Sequence, residues 1–100
     1  MQVNQQTQNV NIPTIQSSAT ALASNLARVG WTIVNLGTNP LYVLMGSGAS
    51  TSVFHVPCKG STVQDDGTGG SVGQETGVIY TGIITVAGTS PRYTVVEFAP

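Results

Sequence analysis

Short runs of apolar residues, many of them alternating with polar ones, recur along this chain between clusters of Gly, Pro, Ser and Asn. Such runs predict strands, not helices. The first predicted strand covers Val10 to Gln16 and is broken by Pro13, which suits a sheet edge because proline donates nothing to a ladder. A second runs through Ala19 to Ala23. It lies in an Ala-rich stretch, Ser18 to Ala27, which holds either a helical turn or, as we read it from the lack of a wide apolar stripe, a strand and then a loop. Gly30 to Leu36 is the clearest strand, with Trp31, Ile33 and Asn35 on one face. Leu41 to Met45 and Ser52 to Pro57 follow, joined by a Gly46-Ser47-Gly48-Ala49-Ser50 turn. A Gly, Asp, Ser and Thr loop spans Gly60 to Gly77, Val78 to Ala87 forms a long strand, and Arg92 to Phe98 closes the chain.

Strands at this spacing, punctuated by tight turns, predict an all-β antiparallel β-sandwich occupying residues 12–100. Before it lies an extended N-terminal arm, residues 1–11, polar, uncharged and rich in Gln and Asn. Periodicity does not encode strand order, so a jelly roll and a simpler sandwich both remain open. The stretch Ile33-Val34-Asn35-Leu36-Gly37-Thr38-Asn39-Pro40-Leu41-Tyr42 is echoed by Ile84-Thr85-Val86-Ala87-Gly88-Thr89-Ser90-Pro91-Arg92-Tyr93. Glycine permits a positive φ, and Asn or Ser before Pro is held extended, so the same tight hairpin connection is predicted twice.

Composition strengthens the β reading. Thirteen Val, six Ile and thirteen Thr make nearly a third of the 100 residues β-branched, stiff at χ1 and suited to a pleated surface. Apolar residues occupy both faces of some strands, as in Leu41-Tyr42-Val43-Leu44, where a lone sandwich ordinarily turns polar side chains outward. Either the two sheets pack unusually tightly, or other chains cover part of the surface. The arm carries too few apolar residues to offset its own ordering entropy, so we expect a partner chain to order it.

Charge narrows the partners. Only Arg28, Lys59, Arg92, Asp65, Asp66, Glu75 and Glu97 are charged, 7% of the chain. Three basic side chains release too few counterions for nucleic-acid binding. No apolar run approaches the length of a membrane helix. One cysteine excludes an internal disulfide framework, and the start Met1-Gln2-Val3-Asn4-Gln5-Gln6 has neither basic residues nor an apolar stretch. The chain therefore reads as folded in a reducing cytoplasm, with no nucleic acid, membrane or small-molecule substrate as partner.

The search for chemistry yields no catalytic, cofactor-binding or metal residue. His55 with Asp65 or Asp66 and Ser52 or Ser61 has the types of a triad, yet no Gly-x-Ser-x-Gly elbow marks a nucleophile. His55 reads as a strand histidine facing solvent or an interface. Cys58 lies beside Lys59, whose ammonium lowers a thiol pKa, but it has no second cysteine or positioned base and reads as structural. Asp65 and Asp66 are the only paired carboxylates; calcium needs more oxygens at fixed spacing, so Gln64 to Gly70 reads as a flexible hairpin loop. The glycines match neither phosphate-binding pattern. Glu97 alternates with Tyr93 and Val95 and faces a core or an interface, with Arg28 or Arg92 as its partner, in a structural pair or a subunit-contact salt bridge. Trp31 reads as a core anchor.

From Ser24 to Pro100 the chain resembles a family of small structural proteins of tailed bacteriophages. The resemblance is carried by Asn25-Leu26-Ala27-Arg28-Val29-Gly30-Trp31-Thr32-Ile33-Val34-Asn35 and the following Leu36-Gly37-Thr38-Asn39-Pro40-Leu41-Tyr42-Val43. Gly46-Ser47-Gly48-Ala49-Ser50-Thr51, Asp65-Asp66-Gly67-Thr68-Gly69-Gly70 and Val86-Ala87-Gly88-Thr89-Ser90-Pro91-Arg92-Tyr93-Thr94-Val95-Val96-Glu97 add to it. It implies a non-enzymatic virion component, a head decoration or cement protein that binds the capsid exterior and stabilises the head. The implied partners are the major capsid protein and copies of this chain. A tail, neck or fibre-associated protein is the related alternative, and a host-surface module for glycans or a receptor the more distant one.

Overall fold

The structure, a computed structural model, describes residues 6–11 and 19–99. Eight strands follow in order: β1 Gln6–Asn11, β2 Ala19–Leu22, β3 Gly30–Asn35, β4 Leu41–Met45, β5 Val56–Cys58, β6 Ser71–Gln74, β7 Ile84–Gly88 and β8 Arg92–Phe98. They form two four-stranded sheets, β1-β8-β3-β6 and β2-β7-β4-β5, in which every neighbouring pair is antiparallel. Only β4 and β5 are consecutive strands within one sheet. Every other connection crosses between sheets, which makes the sandwich an eight-stranded jelly roll.

The core lies between the sheets. Trp31, Ile33, Tyr93 and Val95 project from the first sheet onto Leu22, Leu41, Val43, Ile84 and Val86 of the second. Alternation explains the choice: β8 is buried at Tyr93, Val95 and Glu97 and half-exposed at the positions between. Each large apolar side chain removed from water contributes about 1.5–3 kcal/mol.

Three strands, β3, β4 and β8, lie where the pattern predicts them, and Ala19–Leu22 is a strand followed by a loop with no helix. Elsewhere the structure corrects the pattern. The strand expected over Ser52–Pro57 begins only at Val56, because the Ser50 hydroxyl accepts the amides of Ser52 and Val53 and bends the chain instead. The long strand expected over Val78–Ala87 begins only at Ile84. The carbonyls of Tyr80 and Gly82 bond to Arg28, and that of Thr81 to the Asn25 amide, so none is left for a ladder. The Gly60–Gly77 loop contains β6, a strand hidden from pattern reading by Gly73. An added Cβ at Gly73 would meet the Trp31 carbonyl and approach Thr32 Oγ1 to 2.8 Å, so this pairing needs glycine.

The two echoed Gly-Thr-Asn/Ser-Pro segments are not hairpins: each carries the chain across from one sheet to the other. Of the first strand expected, Val10 and Asn11 belong to β1 and residues 12–16 lie outside the described residues, as do residues 1–5 of the arm. Gln6–Asn11 pairs with β8 of its own chain over six register positions, from Gln6 opposite Glu97 to Asn11 opposite Arg92.

Candidate assembly surface

The residues with catalytic chemistry are held apart by their own partners. His55 is exposed, accepts the Met45 amide on Nδ1 at 3.1 Å and donates its own amide to the Val43 carbonyl. It thus caps the β4–β5 hairpin. Ser61 is buried and donates to the Asn35 carbonyl at 3.4 Å. Cys58 is buried, which pushes its thiol pKa up, opposite to the lowering a nucleophile requires.

Both carboxylates of the acidic pair are fully engaged. Asp65 accepts a two-pronged contact from Arg92, at 2.8 Å from Nε and 3.0 Å from Nη2. Asp66 accepts the Thr68 amide and hydroxyl on one oxygen and the Val63 amide on the other. These bonds hold both carboxyls below the ordinary carboxylate range, Asp65 chiefly through Arg92 and Asp66 chiefly through Thr68. Among the described residues no three of His, Cys, Asp and Glu gather around one point. Nor is the loop a loose hairpin. Asp65 and Ser61 donate to the carbonyls of Leu36 and Gly37, and a Cβ at Gly69 would strike the Asn35 carbonyl.

Glu97 finds Arg28, not Arg92. The Arg28 Nε donates to Glu97 Oε1 at 2.9 Å, and both residues are buried, at 3% and 6% exposure. Nη1 donates to the Tyr80 and Gly82 carbonyls and Nη2 to that of Ala23. One guanidinium thereby ties the β2–β3 loop, the β6–β7 segment and β8 together at one end of the sandwich. Beside it, Gln74 Oε1 accepts from both Trp31 Nε1 and the Tyr80 amide at 2.9 Å. Sequence reasoning named Arg28 as a partner of Glu97 but missed the four-way tie and Gln74, because both roles depend on carbonyls far away in sequence. Asn35 is a third hub: its Nδ2 donates to the carbonyls of Asn39, Cys58 and Lys59 while Oδ1 accepts the Gly37 amide. Asn just before a glycine turn was the available signal.

What remains is surface, and the two sheets present different ones. In the second sheet Ile84 and Val86 face the core, so Thr85 and Ala87 face outward, yet they are only 3% and 0% exposed. The segment Gly46–Phe54, part of it expected to be strand, folds back over them. Thr85 Oγ1 donates to the Gly46 carbonyl at 2.7 Å and accepts the Ala49 amide at 3.1 Å. The Phe54 ring lies 4.8 Å from that of Tyr42. Thr85 and Ala87 of β7 are thus covered by the chain itself, while Tyr42 and Leu44 on the outer side of β4 stay half-exposed.

Among the described residues the first sheet has no such cover. Thr32 and Val34 of β3 stand opposite Val96 and Thr94 of β8 on its outer face, all four half-exposed, with exposed Ser71 and Gly73 of β6 beside them. Among the described residues no loop hydrogen-bonds onto these four side chains. The face is uncharged up to Arg92, which is engaged with Asp65. Four strands about 4.8 Å apart and six residues long offer roughly 400 Å². That is about half of what each partner contributes to a standard stable interface.

At the sheet's edge, β1 brings a single apolar residue, Val10, to its six positions. Ladder hydrogen bonds, at about 0.5–1.5 kcal/mol net each, decide whether the strand stays. At the Arg28 end, Leu26 and Val78 are 92% and 93% exposed beside an open depression of about 290 Å³ lined by Val29, Gly30, Glu75 and Phe98.

No family model matches this chain, and no curated protein does. Among solved structures it is similar to a chain of the Bacillus endospore appendages, described as a family of disulfide-linked pili. The identity is 17%, the match covers 97% of this chain and 88% of that one, and the TM-score is 0.46. The likeness assigns this chain no function. No described helix is long and apolar enough to cross a membrane.

Proposed function

We propose that the chain is a non-enzymatic virion structural protein: a capsid decoration protein that lies on the exterior of a phage head, against the major capsid protein and copies of itself. The observation that carries the reading is the uncharged Thr/Val face of the first sheet, half-exposed among the described residues while Thr85 and Ala87 of the second sheet are buried under the chain's own loop. A free monomer gains nothing from a flat, charge-free, β-branched surface, whereas a lattice component uses it repeatedly, and weak contacts multiply when many copies are linked. The residues shared with small virion proteins support the same reading. Recognition of host glycans is less well served, since Trp31 and Tyr93 are wholly buried and Tyr42 packs at a tilt against Phe54.

The test is the composition of purified particles. Decoration predicts many copies of this chain per virion, in a fixed ratio to the main shell protein, and heads lacking it should release DNA at lower temperature. A handful of copies would place it on the tail or neck instead. Absence from virions would end the proposal.

A further inference from the structure

We infer that β1 is exchanged between copies, so that Gln6–Asn11 of one molecule completes the first sheet of a second by lying along that molecule's β8. This names one partner within the assembly reading, and it rests on that reading only for where the linked copies lie.

The argument begins with how sheet edges are protected. β5 is three residues long with Pro57 at its centre, β6 is four residues with Gly73 inside it, and β2 is irregular between Thr20 and Leu22. Short length, proline and bulges are the devices that keep an edge from recruiting another strand. β8 has none of them. It runs seven regular residues from Arg92 to Phe98, pairs without a break over six positions with both β1 and β3, and carries wholly buried Tyr93 and Val95. Its two charges, Arg92 and Glu97, are occupied by Asp65 and Arg28 and so repel nothing. Protection of β8 on that side is left entirely to β1.

β1 is suited to leave and to be replaced by its own kind. Its sequence, Gln-Thr-Gln-Asn-Val-Asn, is uncharged and offers one apolar side chain, so its hold on β8 is mostly backbone pairing. Strand opening of this sort does not require the core to unfold. The connection to β2 has length to spare. Residues 12–18 separate Asn11 from Ala19, a reach of about 27 Å when extended, whereas the sheets of a sandwich lie only about 10 Å apart. Exchange keeps every pairing of the closed form while linking two chains.

The experiment uses the purified full-length chain with no particle present. One preparation carries Asn9→Cys and a second Thr94→Cys; these positions are register partners, close enough for a disulfide. The two are mixed, incubated and oxidised. Exchange predicts a product at twice 10.3 kDa containing one chain of each kind, joined between positions 9 and 94. A mixture of Asn9→Cys with Ser71→Cys, which places the second thiol on the far β6 edge, measures chance collision. A mixed product no more abundant than in that control overturns the inference, as does a double variant Asn9→Cys/Thr94→Cys that closes entirely within single chains. A chain that exchanges but is absent from virions would sink the decoration reading and leave exchange standing; the opposite pattern would do the reverse.

Discussion

The two sheets of this protein solve one problem differently. Each has an outer face carrying β-branched or apolar residues. The second sheet covers its face with Gly46–Phe54, fastened through Thr85 and Tyr42, and leaves Thr85 and Ala87 out of contact with water. The first sheet leaves Thr32, Val34, Thr94 and Val96 half-exposed. What distinguishes them is therefore not composition but whether a loop folds back. Outward apolar positions do not by themselves indicate a partner: in β7, Ala87 is buried beside Thr85, onto which the chain's own loop is fastened.

The comparison can be broken or sharpened by substitution and by pH, beginning with the scale set by the shared interior. Glu97→Ala leaves Arg28 buried without its carboxylate and should cost about 3–5 kcal/mol in denaturant unfolding. Alkali should come next. Burial pushes the Tyr93 hydroxyl up to about 12 from 10.0, and the hydroxyl has no hydrogen-bond partner among the described residues. The unfolded state ionises first, so stability holds below pH 10 and falls as pH rises toward 12, by about 2–3 kcal/mol in all. Tyr93→Phe should abolish that decline without loss at neutral pH. Thr85→Val on the sealed face strands the Ala49 amide and should cost about 1–3 kcal/mol. On the bare face, Val96→Lys should change stability by no more than about 0.5 kcal/mol while abolishing self-association or retention on particles. If Thr85→Val and Val96→Lys cost the same, the contrast between the faces is wrong. Smallest is the acid effect of the exposed Asp65–Arg92 pair. Its carboxyl is held low, so its stabilisation is complete above about pH 4 and fades as pH falls through the lower folded value, more weakly in high salt.

Much of the fold was legible before any coordinates. Trp31, Ile33 and Asn35 on one face of β3, the span of β4 and the whole of β8 follow from alternation and turn residues alone. Legibility failed where side chains compete for backbone groups. Ser50 captures amides that would have extended β5, and Arg28 and Asn25 capture carbonyls that would have extended β7. β6 escaped because Gly73 weakens the strand signal while being required by the close approach of β3. Of the candidate surface, the uncharged Thr and Val residues were visible, but not which of them stay uncovered.

Alternation, turn residues and the scarcity of charge settled, from sequence alone, that this is an all-β antiparallel domain with a Trp-anchored core. Those properties are local: each depends on residues a few positions apart. The jelly-roll order, the choice of Arg28 for Glu97, the packing of the acidic loop and the covering of one sheet but not the other were decided only in three dimensions. Each joins groups dozens of residues apart, and which backbone groups remain free to meet them depends on how the whole chain has closed.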